Sequence, residues 1–151
     1  MSGQPTPVWA ILTVKADRVL RREKSQLDAV LHKQRDTQNR QHKLDNLLIE
    51  YSNRLNIILA RPHNTVEAGS YRQFIVQLHN LRQRTGEELL QIEEVCNSAK
   101  QKVLVADQEK RKLTRLTERA KEKLRQQRNI REMKDLEAQN LIQFNLNSRM
   151  P

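Results

Sequence analysis

Leu89-Leu90-Gln91-Ile92-Glu93-Glu94-Val95-Cys96-Asn97-Ser98-Ala99-Lys100-Gln101-Lys102-Val103-Leu104-Val105-Ala106 is the stretch whose reading decides the fold. Within it Leu89, Ile92, Cys96, Ala99, Val103 and Ala106 recur at alternating steps of three and four, the period of one helix face. The rhythm extends outward to Phe74, Leu78 and Leu81 on one side and to Leu113, Ala120 and Leu124 on the other, with Lys110 and Thr117 as interruptions. From Tyr71 to Leu146 the chain holds one glycine, Gly86, and no proline. So long a segment without a breaker reads as one amphipathic helix, and its apolar stripe needs a partner helix.

The partner lies upstream. Heptad positions counted back from Ile58 fall on Leu55, Tyr51, Leu48, Leu44, Gln41, Thr37, Gln34, Val30, Leu27, Glu23 and Leu20, apolar at both ends and polar in the middle. Between the two stripes Arg61-Pro62-His63-Asn64 stops the first helix, because proline lacks the amide donor and disfavours helix at the residue before it. Gly69-Ser70 closes the connection, with Ser70 as the expected N-cap of the second helix.

The expected fold is all-α: a long antiparallel two-helix coiled-coil hairpin with a C-terminal helical overhang. Residues 1–7 form a flexible leader, 8–60 helix 1, 61–70 the hairpin tip and 71–147 helix 2, paired to about residue 118 and overhanging after it. At the usual rise per residue helix 1 spans ~75 Å and the overhang ~40 Å. Gly86 costs about 1 kcal/mol against alanine in a helix interior. Thr85-Gly86-Glu87-Glu88 has the spacing of a capping box, so a continuous but bent helix is expected there, with a short break as the alternative.

Composition agrees with a rod rather than a globule: 151 residues, 30% charged and 3% aromatic, with a mean hydropathy of -0.84. The formal charge of +10 favours an acidic partner, whether nucleic acid, an anionic membrane surface or a negatively lined protein pore. Between Lys110 and Met150 twelve Lys or Arg face five Asp or Glu, so most of the excess sits on the overhang. Leu124, Ile130, Met133, Leu136, Leu141 and Phe144 accompany it, and the coincidence favours a binding arm over a solvated helix end. No run approaches the length of a membrane span, and Val8 to Leu12 with Val14 is too short for a signal-peptide core.

Catalytic chemistry finds no footing. There is no Gly-rich phosphate loop, no His-Glu-x-x-His pair and no cysteine pair, so neither an enzyme, a metal nor a cofactor is expected. His32, His42, His63 and His79 are scattered, and the first two are too far apart on one helix to share an ion. Cys96, the single cysteine, sits on the stripe beside Glu93 and Glu94 and reads as a small seam residue in a reducing compartment. Tyr71-Arg72-Gln73-Phe74-Ile75-Val76-Gln77-Leu78 places two of the five aromatics at the tip, with Ile75 and Val76 expected off the seam. It serves either as an end-cap of the coiled coil or as a patch read by a partner.

Four stretches give the chain a family likeness. Asn46-Leu47-Leu48-Ile49-Glu50-Tyr51-Ser52-Asn53-Arg54-Leu55 precedes the hinge, Tyr-x-x-Phe-Ile-x-x-Leu begins at Tyr71, and Leu113-Thr114-Arg115-Leu116-Thr117-Glu118-Arg119 and Glu132-Met133-Lys134-Asp135-Leu136-Glu137 follow. In that order, from about residue 12 to 145, the chain resembles the FliJ family of bacterial flagellar export proteins. The resemblance implies a stalk similar to the central shaft of rotary ATP synthases, located in the bacterial cytoplasm and held peripherally at the inner membrane of the flagellar base. Its implied partners are the hexameric export ATPase, whose ring assembly it promotes, the export-gate membrane protein and export chaperones.

By the same resemblance the gate-binding patch lies just after the hinge, on Phe74 and Leu78 and, one turn on, Leu81 where the family often has a small residue. Arg115 and Arg119 match a basic, Leu-spaced stretch, and with Arg125 and Arg128 they are the candidates for the ring contact. The closest alternative is the equivalent stalk of a virulence injectisome. A nucleic-acid-binding basic coiled coil is the alternative from another class; Glu118, Glu122, Glu132, Asp135 and Glu137 interrupt the basic run and no aromatic interleaving is present, so nucleic acid is not the expected partner.

Overall fold

A computed structural model describes residues 7–62 and 65–149. The fold is all-α, a helical hairpin of two long helices that pack against each other, α1 over Pro7–Leu59 and α2 over Thr65–Ser148, with no strand among the described residues. The expected leader falls outside the described residues except for Pro7, which opens α1; proline suits the first helical position because its missing amide would have had no intrahelical partner. α1 ends one residue short of the expected boundary. Arg61 N donates to Ile58 O at 3.4 Å in a tightened last turn, directly before Pro62.

The start of α2 differs from expectation. The helix begins at Thr65, so Gly69 and Ser70 lie within it, and Ser70 is no cap: its Oγ donates to Val66 O at 3.0 Å, one turn back. Thr65-Val66-Glu67-Ala68 holds no breaker, Glu67 puts an acid in the first turn where the helix dipole favours it, and Ala68 is buried. That packing and electrostatic gain outweighs the propensity cost of Gly69.

Among the described residues, contacts group into two compact units, one within residues 22–104 and one of α1 up to Arg21 with α2 from Val105 on. In the first, contacts step backward along α2 as they step forward along α1, the signature of an antiparallel pair. Gln34 meets Cys96, Arg40 meets Glu88, Asp45 meets Arg82, and Tyr51 meets Phe74 and Tyr71. Leu44, Leu48 and Leu78 are its apolar centre, with Leu47, Tyr51 and Ile75 packed around them. Every expected seam position of α1 in this unit, from Glu23 to Ile58, is buried or half-buried.

The α2 seam runs through Tyr71, Ile75, Leu78, Thr85 and Leu89, not through Leu81, which is 47% exposed. Ile75, expected off the seam, is on it, and Phe74 sits at its edge. The polar middle of the seam is internally satisfied. Thr37 Oγ1 donates to Lys33 O at 2.9 Å and accepts from Arg40, whose guanidinium also reaches Glu88 on the other helix at 3.1 Å. Cys96 is buried, its thiol facing Gln34 Oε1 at 3.7 Å, as a seam residue should be.

Gly86 does not break α2. Thr85 Oγ1 donates back to Leu81 O at 2.9 Å instead of forward into a capping box, and the helix passes through. A Cβ at residue 86 would meet only Gln41 Nε2, at 3.8 Å, an ordinary contact. Gly86→Ala is therefore expected to stabilise this unit by about 1 kcal/mol, the helix-propensity difference. Urea unfolding followed by circular dichroism reads it; a loss of stability would show that the helix needs the freedom of glycine there.

In the second unit α1 packs on α2, with Ala16, Leu20, Ala106 and Leu113 buried. Lys110 and Thr117 prove to be seam residues with partners: Lys110 Nζ pairs with Asp17 at 2.8 Å, and Thr117 Oγ1 lies 3.2 Å from Thr13 Oγ1. Half-buried positions continue to Ala120 and Leu124, beyond the expected limit near residue 118, and all positions from Arg125 to Arg149 are exposed.

Candidate functional site

Two surfaces answer to the sequence-derived candidates, one in each unit. In the 22–104 unit, Tyr51 on α1 is the centre of an aromatic cluster beside the tip. Phe74 packs on it at 4.7 Å between centroids with planes at 60°, Tyr71 at 5.9 Å, and the Arg54 guanidinium lies 5.2 Å from its ring centroid. Tilted rings at these separations are favourable beyond their burial, and Arg54 adds a cation–π contact. Arg54 is also fixed by Glu50 one turn earlier, at 2.6 Å.

Of the three gate candidates, the structure separates one from the others. Leu78 is 5% exposed inside the leucine cluster and has no surface left to offer a partner. Phe74 is 38% exposed and Leu81 47%; seven residues apart, they share one face of α2 along the edge of the seam. Tyr51 and Arg54 were not singled out for this surface from the sequence, and no spacing within α2 could have found them, since they arrive from the opposite helix.

In the other unit, α2 carries a shallow groove of about 520 Å³ lined by Gln108, Arg111, Lys112, Arg115, Leu116 and Arg119. Arg111, Arg115 and Arg119 repeat every four residues and so stand above one another on one side. Arg115 and Arg119 are thus brought together, with Arg111 and Lys112 as further members not singled out from the sequence; for Arg111 the four-residue spacing was the available signal. Arg111 is partly neutralised by Asp107 at 3.0 Å.

Arg125 and Arg128 lie beyond this groove, on the exposed part of α2. Arg125 forms a two-pronged pair with Glu122, at 3.1 and 2.7 Å. Hydrogen bonding from Arg125 holds the Glu122 carboxyl below its ordinary value, a slight desolvation working the other way. The carboxyl stays lowered only while the pair is formed, and in so exposed a pair solvent screens the attraction. The groove itself gathers Arg111, Lys112, Arg115 and Arg119.

No three His, Cys, Asp or Glu side chains converge as a metal site among the described residues, and no described helix is long and apolar enough to cross a membrane. In comparison with known proteins, the chain matches no protein family, no curated protein and no solved structure.

Proposed function

We propose that this chain is the non-enzymatic central stalk of a bacterial flagellar type III export ATPase complex, promoting assembly of the ATPase ring, linking it to the export gate and handling export chaperones. On this reading it works in the cytoplasm, attached peripherally to the inner membrane at the flagellar base. The observation that carries it is a helical hairpin whose α2 outlasts its partner: residues 125–149 are exposed throughout, directly after a groove holding four cations. The cations of the groove suit a larger acidic host through long-range attraction that salt screens, and the exposed helix beyond it adds length for that host to hold.

The test is the turnover of a ring-forming export ATPase with and without this chain. Stimulation together with a shift of the ATPase toward hexamers is expected; no effect on either removes the reading. The Arg111, Lys112, Arg115 and Arg119 groove would equally suit phosphates, which gives a duplex-DNA-binding arm as a second reading. A salt titration separates the two, because submicromolar DNA binding at physiological salt without any change in ATPase oligomerisation selects the nucleic acid.

At the tip, Phe74→Ala is expected to weaken binding of the export-gate protein about tenfold, the scale of an interface hot spot. Helical content should stay nearly unchanged because Phe74 lies at the seam edge. Circular dichroism beside a quantitative pull-down measures both. A large loss of helix with it would identify the aromatic cluster as an end-cap of the hairpin instead.

A further inference from the structure

We infer that the apolar face of the exposed α2 arm pairs two copies of this chain in antiparallel fashion about a two-fold axis at Glu137. Ile130, Met133, Leu141 and Phe144 are 53, 62, 63 and 69% exposed, and their spacing puts them on one side of the helix. They stand seven and four residues before Glu137 and four and seven residues after it. A two-fold axis through Glu137 therefore sets Ile130 of one copy against Phe144 of the other and Met133 against Leu141, which is the self-complementarity that an isologous interface requires.

Charge favours a second copy over a polyanion on this part of the arm. From residue 110 to 124 seven cations face two acids, whereas from 125 to 149 five face three, so the distal half is nearly balanced and two copies meet with little repulsion. A lipid surface fits less well, because Glu137 stands in the middle of the apolar face and Leu136, Ile142 and Leu146 lie away from it, leaving no wide apolar side to enter a bilayer.

Area sets the strength. The four side chains present on the order of 500 Å² per copy, comparable to the largest apolar patch of an ordinary monomer, and two copies bury about 1,000 Å², near the lower bound of a specific interface. The dimer is accordingly weak, forming in the micromolar range. The facing Glu137 pair weakens it further and fixes its register, the role a polar group plays within a coiled-coil seam.

The experiment uses the full chain carrying Cys96→Ser, so that added cysteines are the only thiols. Under mild oxidation at micromolar concentration, Glu137→Cys is expected to cross-link to itself, as a residue on the axis must. Ile130→Cys and Phe144→Cys chains cross-link to each other when mixed and poorly alone. In sedimentation equilibrium the unsubstituted chain shows a monomer–dimer exchange, Phe144→Asp raises its dissociation constant at least about tenfold, and Glu137→Leu lowers it by a similar factor.

Circular dichroism is expected to be unchanged in all of these variants. A chain that stays monomeric at all concentrations overturns the inference, as does a dimer indifferent to Phe144→Asp or a monomer that binds phosphatidylglycerol vesicles through Phe144. None of these readouts involves the ATPase, so failure here and failure of the stalk reading are distinguishable.

Discussion

Leu78→Ala is expected to destabilise the 22–104 unit by about 2 to 4 kcal/mol, the range for removing a buried leucine side chain from a core that relaxes only in part. Leu78 closes the cluster with Leu44 and Leu48, and a two-helix seam has no second layer behind it to fill the void. Leu81→Ala, one turn along the same helix, is expected to cost less than about 1 kcal/mol because nearly half of that side chain is already in water. Urea denaturation of both variants measures the contrast. Equal losses would mean that α2 is rotated from the seam described above, and the assignment of Leu81 to an exposed face with Phe74 would fall with it.

That contrast also marks the place where sequence pattern and structure part. On α1 the heptad count from Ile58 to Leu20 names the seam throughout, including its polar members Gln41, Thr37 and Gln34, because no competing apolar stripe exists there. On α2 the region 71–85 offers two stripes. Phe74, Leu78 and Leu81 are the more apolar choice, but the stripe continuous with Leu89, Ile92 and Cys96 uses Tyr71, Ile75, Leu78 and Thr85. Interhelix contacts decide between them: Arg82 reaches Asp45, and Ile75 fills against the leucines, neither visible from α2 alone.

The tip departs from its sequence pattern for a related reason. Gly69-Ser70 has the residues of a turn, yet burial of Ala68 extends the helix upstream to Thr65. For the arm, charge and exposed apolar residues were legible because nothing packs on them, whereas the occupation of Arg125 by Glu122 and of Lys110 by Asp17 needed geometry.

Deleting residues 125–151 is the second large effect. Nothing in that segment is buried among the described residues, and half-burial ends at Leu124, so the thermal unfolding of the remainder should shift by less than about 0.5 kcal/mol equivalent, as for ordinary surface changes. On the proposed stalk reading, with the arm supplying the ring contact, stimulation of an export ATPase should nevertheless fall at least about fivefold. Adding Arg115→Glu and Arg119→Glu to the truncated chain should abolish what remains, because these two line a groove that also holds Arg111 and Lys112. Retention of full stimulation by the truncated chain would take the arm out of the mechanism and leave the ring contact to the packed part of the helices.

The most direct test of the account is whether α1 folds back on α2 within one molecule. Spin labels on Arg18→Cys and Arg111→Cys in a Cys96→Ser background, diluted with unlabelled chain to silence contacts between molecules, report this in a pulsed distance measurement. Both positions are exposed, and Asp17 and Lys110 beside them form an ion pair. The account predicts a label separation of roughly 15 to 25 Å, that of two packed helices plus the label arms. A separation above about 60 Å, as two helices extending away from the tip would give, contradicts the pairing and everything built on it.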